Sequence, residues 1–456
     1  MGPSSVGFLL KHTFFGHFCA GESDRTIKPT LSRLHDHGIG GILDYAAEAD
    51  LTPSAPPPPL QPATKHSLQA RVYDYAGEAE CDKNCMIFRS CIEAVHNTTP
   101  DGFAAIKVSA LGQPLVLERM STAIVETRKL FSRFDVEKTG KISEEVFRNV
   151  YRSVFTDTSD AEIHDIFNNF RDPQTGFIDY IEWTNTIKVE KIWELVNRSL
   201  PGPLTTAILT PEETHLMHAM LARLSSLAEH AARLSVRLMI DAEQTYFQPA
   251  IDHLALALQR THNRKFPTIF NTYQCYLKDS YERVVLDLER AKREKYWFAT
   301  KVVRGAYLVL ERRRAAEMGY EDPLQPNIEE THKNYHRVVD LLLRNNSNAN
   351  VLVASHNQDS IIYTLRAMEQ LGIPKGKESG VYFGQLLGMA DHLTYNLGRN
   401  GYYAYKYVPY GPVKEVVPYL IRRAQENSNI LGGVSTELKM LSSELKRRLT
   451  FGFWKH

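Results

Sequence analysis

The segment with the most specific chemistry lies near the C-terminus, where two adjacent arginines stand in a helical pattern. Tyr419, Arg422, Arg423 and Glu426 occupy positions i, i+3, i+4 and i+7, which places them on one face of a helix. Two guanidinium groups can clamp a carboxylate, and a glutamate beside them can lie near an ammonium group. The pattern fits a site for a small zwitterion. A solvent-exposed Arg–Glu pair on a surface helix is the structural alternative.

Polar side chains also stand at the ends of short apolar runs elsewhere in the chain. The residues concerned are Lys107, Asp241, Gln274, Arg304, His356 and Tyr407. Tyr403 and Tyr405 alternate with Tyr407 along one run, so we expect the three side chains to share one side of a strand. They would form an apolar wall next to a charged clamp, with Lys107 and Asp241 adding one cation and one anion. A structural ion pair or a helix cap is the alternative for these two residues.

Eight apolar runs alternate with amphipathic helical segments. They cover residues 41–45, 104–111, 237–243, 268–274, 298–307, 351–357, 380–387 and 403–410. Near-continuous apolar strands that alternate with helices indicate a parallel sheet covered on its outside. Eight such units predict an α/β fold of the (βα)8 TIM-like barrel class, whose chemistry occurs at the carboxyl ends of the strands. A doubly wound sheet is the competing architecture.

The spacing between the second and third runs is too long for one crossover. More than a hundred residues separate Lys107 from Asp241, where a crossover helix needs about a dozen. We therefore predict an inserted helical module within the barrel. The predicted segments are 1–112, with the first strands and a Pro-rich loop at 52–64; 113–210, the insert; and 211–456, the rest of the barrel and the substrate-binding helix.

Two stretches of the insert resemble EF-hand calcium loops that have each lost a principal ligand. They cover residues 135–146 and 171–182. The first begins with Asp135, but Val146 stands at position twelve, which should be a bidentate glutamate. The second ends correctly with Glu182, but Arg171 takes the place of the first ligand. Calcium needs six to eight oxygens, so we predict a degenerate, structural EF-hand-like module and no metal site; a calcium-sensing module is the alternative.

The composition excludes several classes of protein. Among 456 residues, 54 Lys and Arg balance 53 Asp and Glu for a net charge of +1, which argues against a whole-chain electrostatic hold on nucleic acid. No apolar run reaches the length of a membrane-spanning helix. Five cysteines without paired CxxC spacing indicate reduced thiols in an intracellular compartment. Rossmann, P-loop, zinc-peptidase and hydrolase-elbow motifs are absent from the sequence.

Both ends of the chain bear on its location. The N-terminus fits neither the myristoylation pattern nor an Arg-rich, acid-free presequence, so we expect that a presequence has been removed or that the chain has been shortened. Residues 446–456 mix basic and aromatic side chains, as interfacial anchors do. Peripheral membrane contact is one reading of this segment, and a helix end that packs on its own barrel is the other.

Several long motifs together make the chain resemble the proline dehydrogenase family, also called proline oxidase, of the animal mitochondrial type. They are GHFCAGES (16–23), AAIKVSALG (104–112), RLMIDAEQTYFQPAI (237–251), IFNTYQCYLKD (269–279), KVVRGAYLVLER (301–312), VASHN (353–357), VYFGQLLGM (381–389) and PYLIRRAQEN (418–427). The resemblance runs from about residue 8 to the C-terminus. It implies a distorted (βα)8 barrel that binds FAD, oxidises L-proline to 1-pyrroline-5-carboxylate and passes electrons to ubiquinone at the mitochondrial inner membrane, on its matrix side.

The resemblance also implies roles for individual residues. Lys107, Arg422 and Arg423 would hold the substrate carboxylate, Glu426 would support that clamp, and Asp241 would lie beside the substrate and help to fix Lys107. The expected walls of the substrate pocket are Tyr307, Leu386 and Tyr407, with Tyr419 beside the clamp. The expected FAD-binding positions are Gln274, Lys301, Val303, Arg304, Gly305, Ser355, His356 and Asn357.

The sequence departs from the family pattern at one position, and two alternative functions compete with proline oxidation. Many bacterial members have an arginine where Lys301 stands, and lysine is a point charge without the planar fork of arginine, which bears on the redox tuning of the flavin. Hydroxyproline dehydrogenase shares the fold and cofactor; the bulk of Tyr407 favours proline because it closes the space that a 4-hydroxyl group needs. A non-catalytic calcium sensor built on a barrel is the alternative from another class.

Overall fold

Eight parallel strands close into a barrel, as the sequence predicts. The structure is a computed structural model that describes residues 11–46, 75–99, 101–155, 158–186, 209–429 and 442–448. The Pro-rich segment 52–64 lies outside the described residues, and so do the side chains of residues 424–429. The strand order around the barrel is β1-β10-β9-β8-β7-β6-β5-β2. A closed barrel excludes the doubly wound alternative, whose sheet stays open.

The barrel strands coincide with the eight predicted apolar runs. Their bounds are β1 Ile39–Tyr45, β2 Phe103–Ile106, β5 Arg237–Ile240, β6 Ile269–Gln274, β7 Phe298–Val303, β8 Ala349–Ala354, β9 Val381–Leu386 and β10 Tyr403–Tyr410. Strands β2 and β6 are buried along their whole length, as expected for parallel strands that are covered on both sides. Several runs extend beyond the observed strands because their last residues form turns: residues after Lys107 enter a 3₁₀ turn at Val108–Ala110.

Helices alternate with the barrel strands along the chain. Before β1 they are α1 Gly16–Phe18, which continues a π-helical turn at Lys11–Phe15, and α2 Asp24–His35; α3 Glu78–Thr98 follows β1. After the insert they are α8 Pro211–Arg233, α9 Gln248–His262, α10 Ser280–Glu294, α11 Leu308–Met318, α12 Ile328–Arg344, α13 Gln358–Gln370, α14 Asp391–Arg399 and α15 Val413–Asn429. A further 3₁₀ turn covers Lys377–Ser379, and residues 442–448 are helical.

The insert between β2 and β5 is helical where the structure describes it. It consists of α4 Pro114–Phe134, β3 Lys141–Ile142, α5 Glu144–Val154, α6 Asp160–Phe170, β4 Ile178–Asp179 and α7 Tyr180–Thr186. Strands β3 and β4 pair antiparallel through the two loops that the sequence analysis singled out. These elements form two helix–loop–helix segments at the predicted place, and their assignment as EF-hands stays a prediction.

The helices begin at residues that satisfy their first backbone N–H groups. Thr210 starts α8 with a capping box: its hydroxyl accepts a hydrogen bond from the Glu213 amide, while Glu213 accepts one from the Thr210 amide. Pro211 occupies the first turn, where its missing N–H costs nothing. Asn327 and Asn357 cap α12 and α13 through their side-chain oxygens. Local capping thus fixes where these three helices begin, including α13, which follows β8.

The chain divides into two compact units. One comprises residues 1–74, 90–105 and 352–456, and the other residues 75–89 and 106–351. The first unit has an apolar cluster of Phe15, Phe18, Cys19, Ala46, Met389, Val416, Tyr419 and Leu420. The second contains the insert and strands β5 to β7. All five cysteines carry free thiols, in line with the expected reduced state.

Candidate active site

Three charged side chains meet at the carboxyl ends of β2, β5 and β7. The Lys107 ammonium nitrogen lies 3.1 Å from Oδ2 of Asp241, and the Lys301 ammonium contacts Oδ1 of the same carboxylate. All three side chains are largely withheld from solvent, with exposures of 13% for Lys107, 9% for Asp241 and 8% for Lys301. We call these residues the strand-end cluster.

The backbone geometry of the strands assembles this cluster. The Asp241 amide donates to the Ile106 carbonyl over 3.0 Å, which joins the ends of β5 and β2. Lys301 pairs in register with Thr272 of β6, and the Thr272 hydroxyl donates to the Ile240 carbonyl over 2.7 Å. The strand ends are therefore held together by hydrogen bonds that do not involve the charged side chains.

The strand-end cluster contains two ammonium groups and one carboxylate. The carboxylate contacts both ammonium groups and holds them at the strand ends. Ammonium groups donate charge-assisted hydrogen bonds to carboxylates, so Lys107 and Lys301 are of the type that binds an anionic group.

The loop that follows β5 is fixed by a second buried carboxylate, Glu243, which the sequence analysis missed. Glu243 is fully buried, and its Oε1 accepts a hydrogen bond from the Ser109 amide over 3.1 Å. Gln274, at the end of β6, donates through Nε2 to the Glu243 carbonyl over 2.9 Å. The expected cofactor residue Gln274 thus also ties down the loop that begins at Asp241.

The two residues that follow β7 are Arg304, with its guanidinium group, and Gly305, which has no side chain. Gly305 has φ +139°, and a Cβ atom there would lie 2.6 Å from the ring of Tyr276, so a side chain at this position is excluded. Arg304 donates through Nε to Nδ1 of His332 over 2.9 Å, and its Cζ lies 4.5 Å from the ring centroid of Tyr335. Burial lowers the pKa of the Arg304 guanidinium. Val303 pairs in register with Gln274, which places these two expected cofactor residues side by side.

Helix α11 connects the end of β7 to the loop after β5. Half-buried Tyr307 is the residue before its first turn, and fully buried Glu311 lies in that turn. The Glu311 carboxylate accepts hydrogen bonds from the Thr245 amide, over 2.7 Å, and from the Thr245 hydroxyl. Burial raises the pKa of the Glu311 carboxyl, while the bonds from Thr245 oppose the rise. This contact fixes the orientation of the helix that follows Tyr307.

In the other unit, the expected residues at the end of β8 pack against the end of β9. The Ser355 hydroxyl accepts from the Asn357 amide over 3.1 Å, and Asn357 Oδ1 accepts from the Ser360 amide over 2.9 Å as the cap of α13. His356 Nε2 accepts from the Leu386 amide over 3.0 Å. These contacts bring the expected cofactor residues His356 and Ser355 next to the expected pocket residue Leu386.

Strand β10 and helix α15 carry the expected clamp and aromatic wall. Tyr407 is half-buried, and its carbonyl accepts from the Leu387 amide over 2.9 Å. On α15, the Arg423 Cζ lies 5.0 Å from the Tyr419 ring centroid. Arg423 is 8% exposed and Arg422 is half-buried, whereas Ile421 is 48% exposed. Arg423 therefore lies on the buried face of α15 together with Val416, Tyr419 and Leu420.

The remaining expectations fall partly outside the described residues. Glu426 belongs to α15, but its side chain is outside the described part of the chain. Near the C-terminus, Arg447 and Arg448 both pair with Glu444, and residues 449–456 lie outside the described residues. Within the described residues, no helix combines the length and apolar character needed to cross a membrane.

The chain matches one protein family and several of its relatives. A model of the family "Proline dehydrogenase" matches residues 64–436. Proline dehydrogenase 1, mitochondrial, of Homo sapiens is 42% identical over 496 residues, which cover 99% of this chain and 82% of that protein. The Drosophila melanogaster protein of the same name is 35% identical over 516 residues, which cover 99% of this chain and 74% of that protein. Hydroxyproline dehydrogenase of Xenopus laevis is 46% identical over 242 residues, which is 52% of each chain.

Solved structures show the same fold. Proline utilization A from Bdellovibrio bacteriovorus superimposes with a TM-score of 0.61 over 93% of this chain and is 17% identical to it. The matched region is 34% of that longer chain. At this identity the likeness supports the barrel alone, whereas the family model and the relatives match by sequence over most of the chain. The chain therefore belongs to the proline dehydrogenase family, whose members are oxidoreductases.

Proposed function

We propose that this protein is an FAD-dependent dehydrogenase that oxidises L-proline to 1-pyrroline-5-carboxylate and passes electrons to ubiquinone. The observation that carries the proposal is the strand-end cluster of Lys107, Asp241 and Lys301, which holds two ammonium groups at the strand ends of a family barrel. L-Proline supplies the anion that such a cluster favours and the secondary amine that the reaction needs.

The substrate carboxylate is held by cations. Lys107, Arg422 and Arg423 bind it, and Glu426 supports the two arginines. Arginine binds a carboxylate through two parallel hydrogen bonds, which fixes orientation as well as position. The inward position of Arg423 on α15 supports this role. Asp241 holds Lys107 and lies beside the substrate ring.

The ring of the substrate is enclosed by apolar side chains. Tyr307, Leu386 and Tyr407 form the pocket walls, and Tyr419 stacks against Arg423. Leu386 is the last residue of β9, Tyr307 follows the end of β7, and Tyr407 lies within β10. The carboxyl ends of the strands are where this fold places its chemistry. Holding the ring by its carboxylate on one side and by apolar walls on the other restricts it to one orientation.

The residues present fit FAD by the chemistry of their donors. Gln274, Lys301 and Arg304 offer amide, ammonium and guanidinium donors, and Gly305 leaves its backbone uncovered by a side chain. Ser355, His356 and Asn357 stand at the start of α13, a helix of 13 residues, and the N-terminus of a helix favours phosphate. The carbonyl and ring nitrogen acceptors of a flavin, and its phosphates, match such donors.

The chain's own residues supply binding and orientation, and bound FAD supplies the hydride acceptor. The hydride leaves the ring carbon next to nitrogen, so that carbon must be held within about 3–3.5 Å of the acceptor atom. That carbon lies on the other side of the nitrogen from the carboxylate-bearing carbon, since the C=N bond of 1-pyrroline-5-carboxylate forms there. The carboxylate clamp would help to set the distance by anchoring the ring at its carboxylate-bearing carbon. Lys301 would donate to the flavin as a point charge, in place of the planar donor that arginine would offer.

Turnover with an artificial electron acceptor tests the proposal. The purified protein should be yellow, because oxidised flavins absorb at about 450 nm. It should also oxidise L-proline. An Arg422→Met variant should keep the colour and lose proline turnover by about two to three orders of magnitude, because truncating one partner of a buried charge pair costs 2–5 kcal/mol. An Arg344→Met variant, on an exposed pair with Asp340, is the matched control. Unchanged turnover in Arg422→Met would remove the clamp assignment.

Hydroxyproline dehydrogenase is the second candidate, because relatives of that name are 46% identical over about half of the chain. The bulk of Tyr407 favours proline, since it takes the space of a 4-hydroxyl group. The ratio of kcat/KM for L-proline to that for trans-4-hydroxy-L-proline decides between the two. A ratio above one supports proline, and a ratio below one supports the hydroxylated ring.

The names of the relatives support a mitochondrial location, and reaction with a membrane quinone requires peripheral contact with the inner membrane on its matrix side. The basic and aromatic residues 446–456 are the proposed contact. Sedimentation with liposomes should fall when residues 451–456 are removed. Equal sedimentation of both forms would contradict this contact.

A further inference from the structure

A lysine that the proposed reaction does not use lies buried in β10, directly before Tyr407. Lys406 is 1% exposed. Its ammonium group donates to the Leu386 carbonyl over 3.2 Å and to the Met389 carbonyl over 2.6 Å, and pairs with Asp391 over 2.6 Å. Three contacts from one buried ammonium hold the segment that joins β9 to α14.

This segment has a backbone that needs such support. Gly388 has φ +75° and Ala390 has φ +52°, and the left-handed region is unfavourable for alanine because of its Cβ atom. At Gly388 a Cβ atom would lie 2.5 Å from the His17 carbonyl oxygen. The segment therefore holds two left-handed residues within three positions, and surrounding contacts must stabilise this conformation.

The carbonyls that Lys406 binds belong to residues next to the proposed substrate site. Leu386 is a proposed pocket wall, and its side chain packs against the apolar cluster of the first unit. Met389 is buried inside that cluster together with Tyr419 and Leu420 of α15. Helix α15 also carries Arg422 and Arg423. The segment from Leu386 to Met389 thus includes a proposed pocket wall and packs in the same apolar cluster as Tyr419 and Leu420 of α15.

We propose that Lys406 is a positioning residue for substrate binding, which acts through the Leu386 and Met389 carbonyls to fix the pocket wall and the seat of α15. This inference rests on the proposed function of that site. A lysine suits the role because its ammonium carries three donors on a flexible stem, which match two carbonyls and one carboxylate. Asp391 is 56% exposed, so the carboxylate retains contact with water while the ammonium is buried.

The test compares Lys406→Met with the same change at Lys278, whose side chain is 44% exposed and pairs with Glu321 on the surface. Steady-state kinetics with L-proline and an artificial acceptor should show a KM raised by about tenfold or more in Lys406→Met, with kcat changed by less than about threefold, because substrate positioning is affected and the reacting groups remain. Lys278→Met should match the wild type. Flavin absorbance per protein reports folding independently of turnover.

A second variant guards against a failure of Lys406→Met to fold. Met389→Ala leaves the lysine in place and shortens the side chain that packs beside Tyr419, and it should raise KM in the same direction. An unchanged KM in whichever of the two variants retains its flavin would overturn the proposal, as would a fall in kcat at unchanged KM. Oxidation of L-proline by the wild type tests the proposed function by itself, so the two failures are distinguishable.

Discussion

The strand-end cluster and the loops of the insert balance their charges differently. In the barrel, the Asp241 carboxylate contacts the ammonium groups of both Lys107 and Lys301. In the insert, Asp179 pairs with Arg293 of α10 and also accepts from the Ile181 and Glu182 amides.

The first loop of the insert also satisfies its leading carboxylate from within. Asp135 accepts from the Thr139 amide over 2.9 Å and from the Gly140 amide over 3.0 Å. In the second loop, Glu182 has a raised pKa because of burial and of the charges on Asp179 and Asp172, while Arg293 lowers it. The acidic groups of the insert are thus stabilised by hydrogen bonds from its own backbone and by an ion pair with Arg293 of α10. The comparison shows two ways of stabilising a carboxylate: ammonium side chains at the barrel's strand ends, and mainly backbone amides in the loops of the insert.

The largest expected effect is on the strand-end cluster. Asp241→Asn removes the only carboxylate of that cluster and leaves two ammonium groups close together, so we expect the free energy of unfolding to fall by about 3–5 kcal/mol. Urea denaturation measures this change. Asp340→Asn is the matched control, because Asp340 pairs with Arg344 on an exposed helix face and should change stability by no more than about 0.5 kcal/mol. Equal losses of stability in Asp241→Asn and Asp340→Asn would contradict the expected difference between the buried cluster and an exposed ion pair.

Removing one of the two lysines should have a small effect on stability and a large effect on binding. Lys107→Met leaves Asp241 paired with Lys301, so the carboxylate keeps a buried partner and the free energy of unfolding should stay within about 1 kcal/mol of the wild type. KM for L-proline should rise by roughly 30-fold or more, because a cation that contacts the substrate carboxylate is lost. Steady-state kinetics measures the change in KM, and urea denaturation measures the change in stability, with Lys278→Met as the control. A loss of stability without a change in KM would show that Lys107 is structural.

A smaller effect is expected where the insert meets the barrel. Arg293 is 35% exposed and Asp179 is 19% exposed, so solvent screens their attraction and Arg293→Gln should cost about 0.2–1 kcal/mol. Proline turnover should stay within about twofold of the wild type. Arg344→Gln is the control on an isolated exposed pair. A turnover loss as large as that of Lys107→Met would mean that the insert takes part in the reaction.

The smallest expected effect is that of calcium on the whole protein. The loops each lack a principal carboxylate ligand, so adding calcium at micromolar concentration should alter neither the midpoint of thermal unfolding nor proline turnover. Titration with calcium, with magnesium as the control ion, measures both quantities. Saturable stabilisation at micromolar calcium would support the calcium-sensing alternative.

The eight barrel strands could be predicted from the sequence because parallel strands covered on both faces give continuous apolar runs. The ends of the strands could not, because residues such as Val108 and Ser109 are as apolar or small as strand residues yet enter a 3₁₀ turn. Their conformation depends on the hydrogen bond between the Ser109 amide and Glu243, which lies far away in sequence.

The roles of the expected site residues stay predictions, and only some of their pairings follow from the sequence. The contact of Lys107 with Asp241 agrees with their expected roles, whereas that of Lys301 with Asp241 does not follow from the resemblance, which assigns Lys301 to the flavin. Glu243, Glu311 and Lys406 carry no local pattern, since their partners depend on tertiary contacts. A charged residue inside an otherwise apolar run, as Lys406 is, was the available signal for one of them.

The most direct test of substrate carboxylate binding at the strand-end cluster compares two substrates, one with the carboxylate and one with a neutral group in its place. L-Prolinamide has the ring and amine of L-proline but a neutral carboxamide in place of the carboxylate. The account predicts that kcat/KM for L-proline exceeds that for L-prolinamide by roughly 100-fold or more in the wild type, and that this ratio shrinks in Lys107→Met. Equal turnover of the two compounds by the wild-type protein would contradict it.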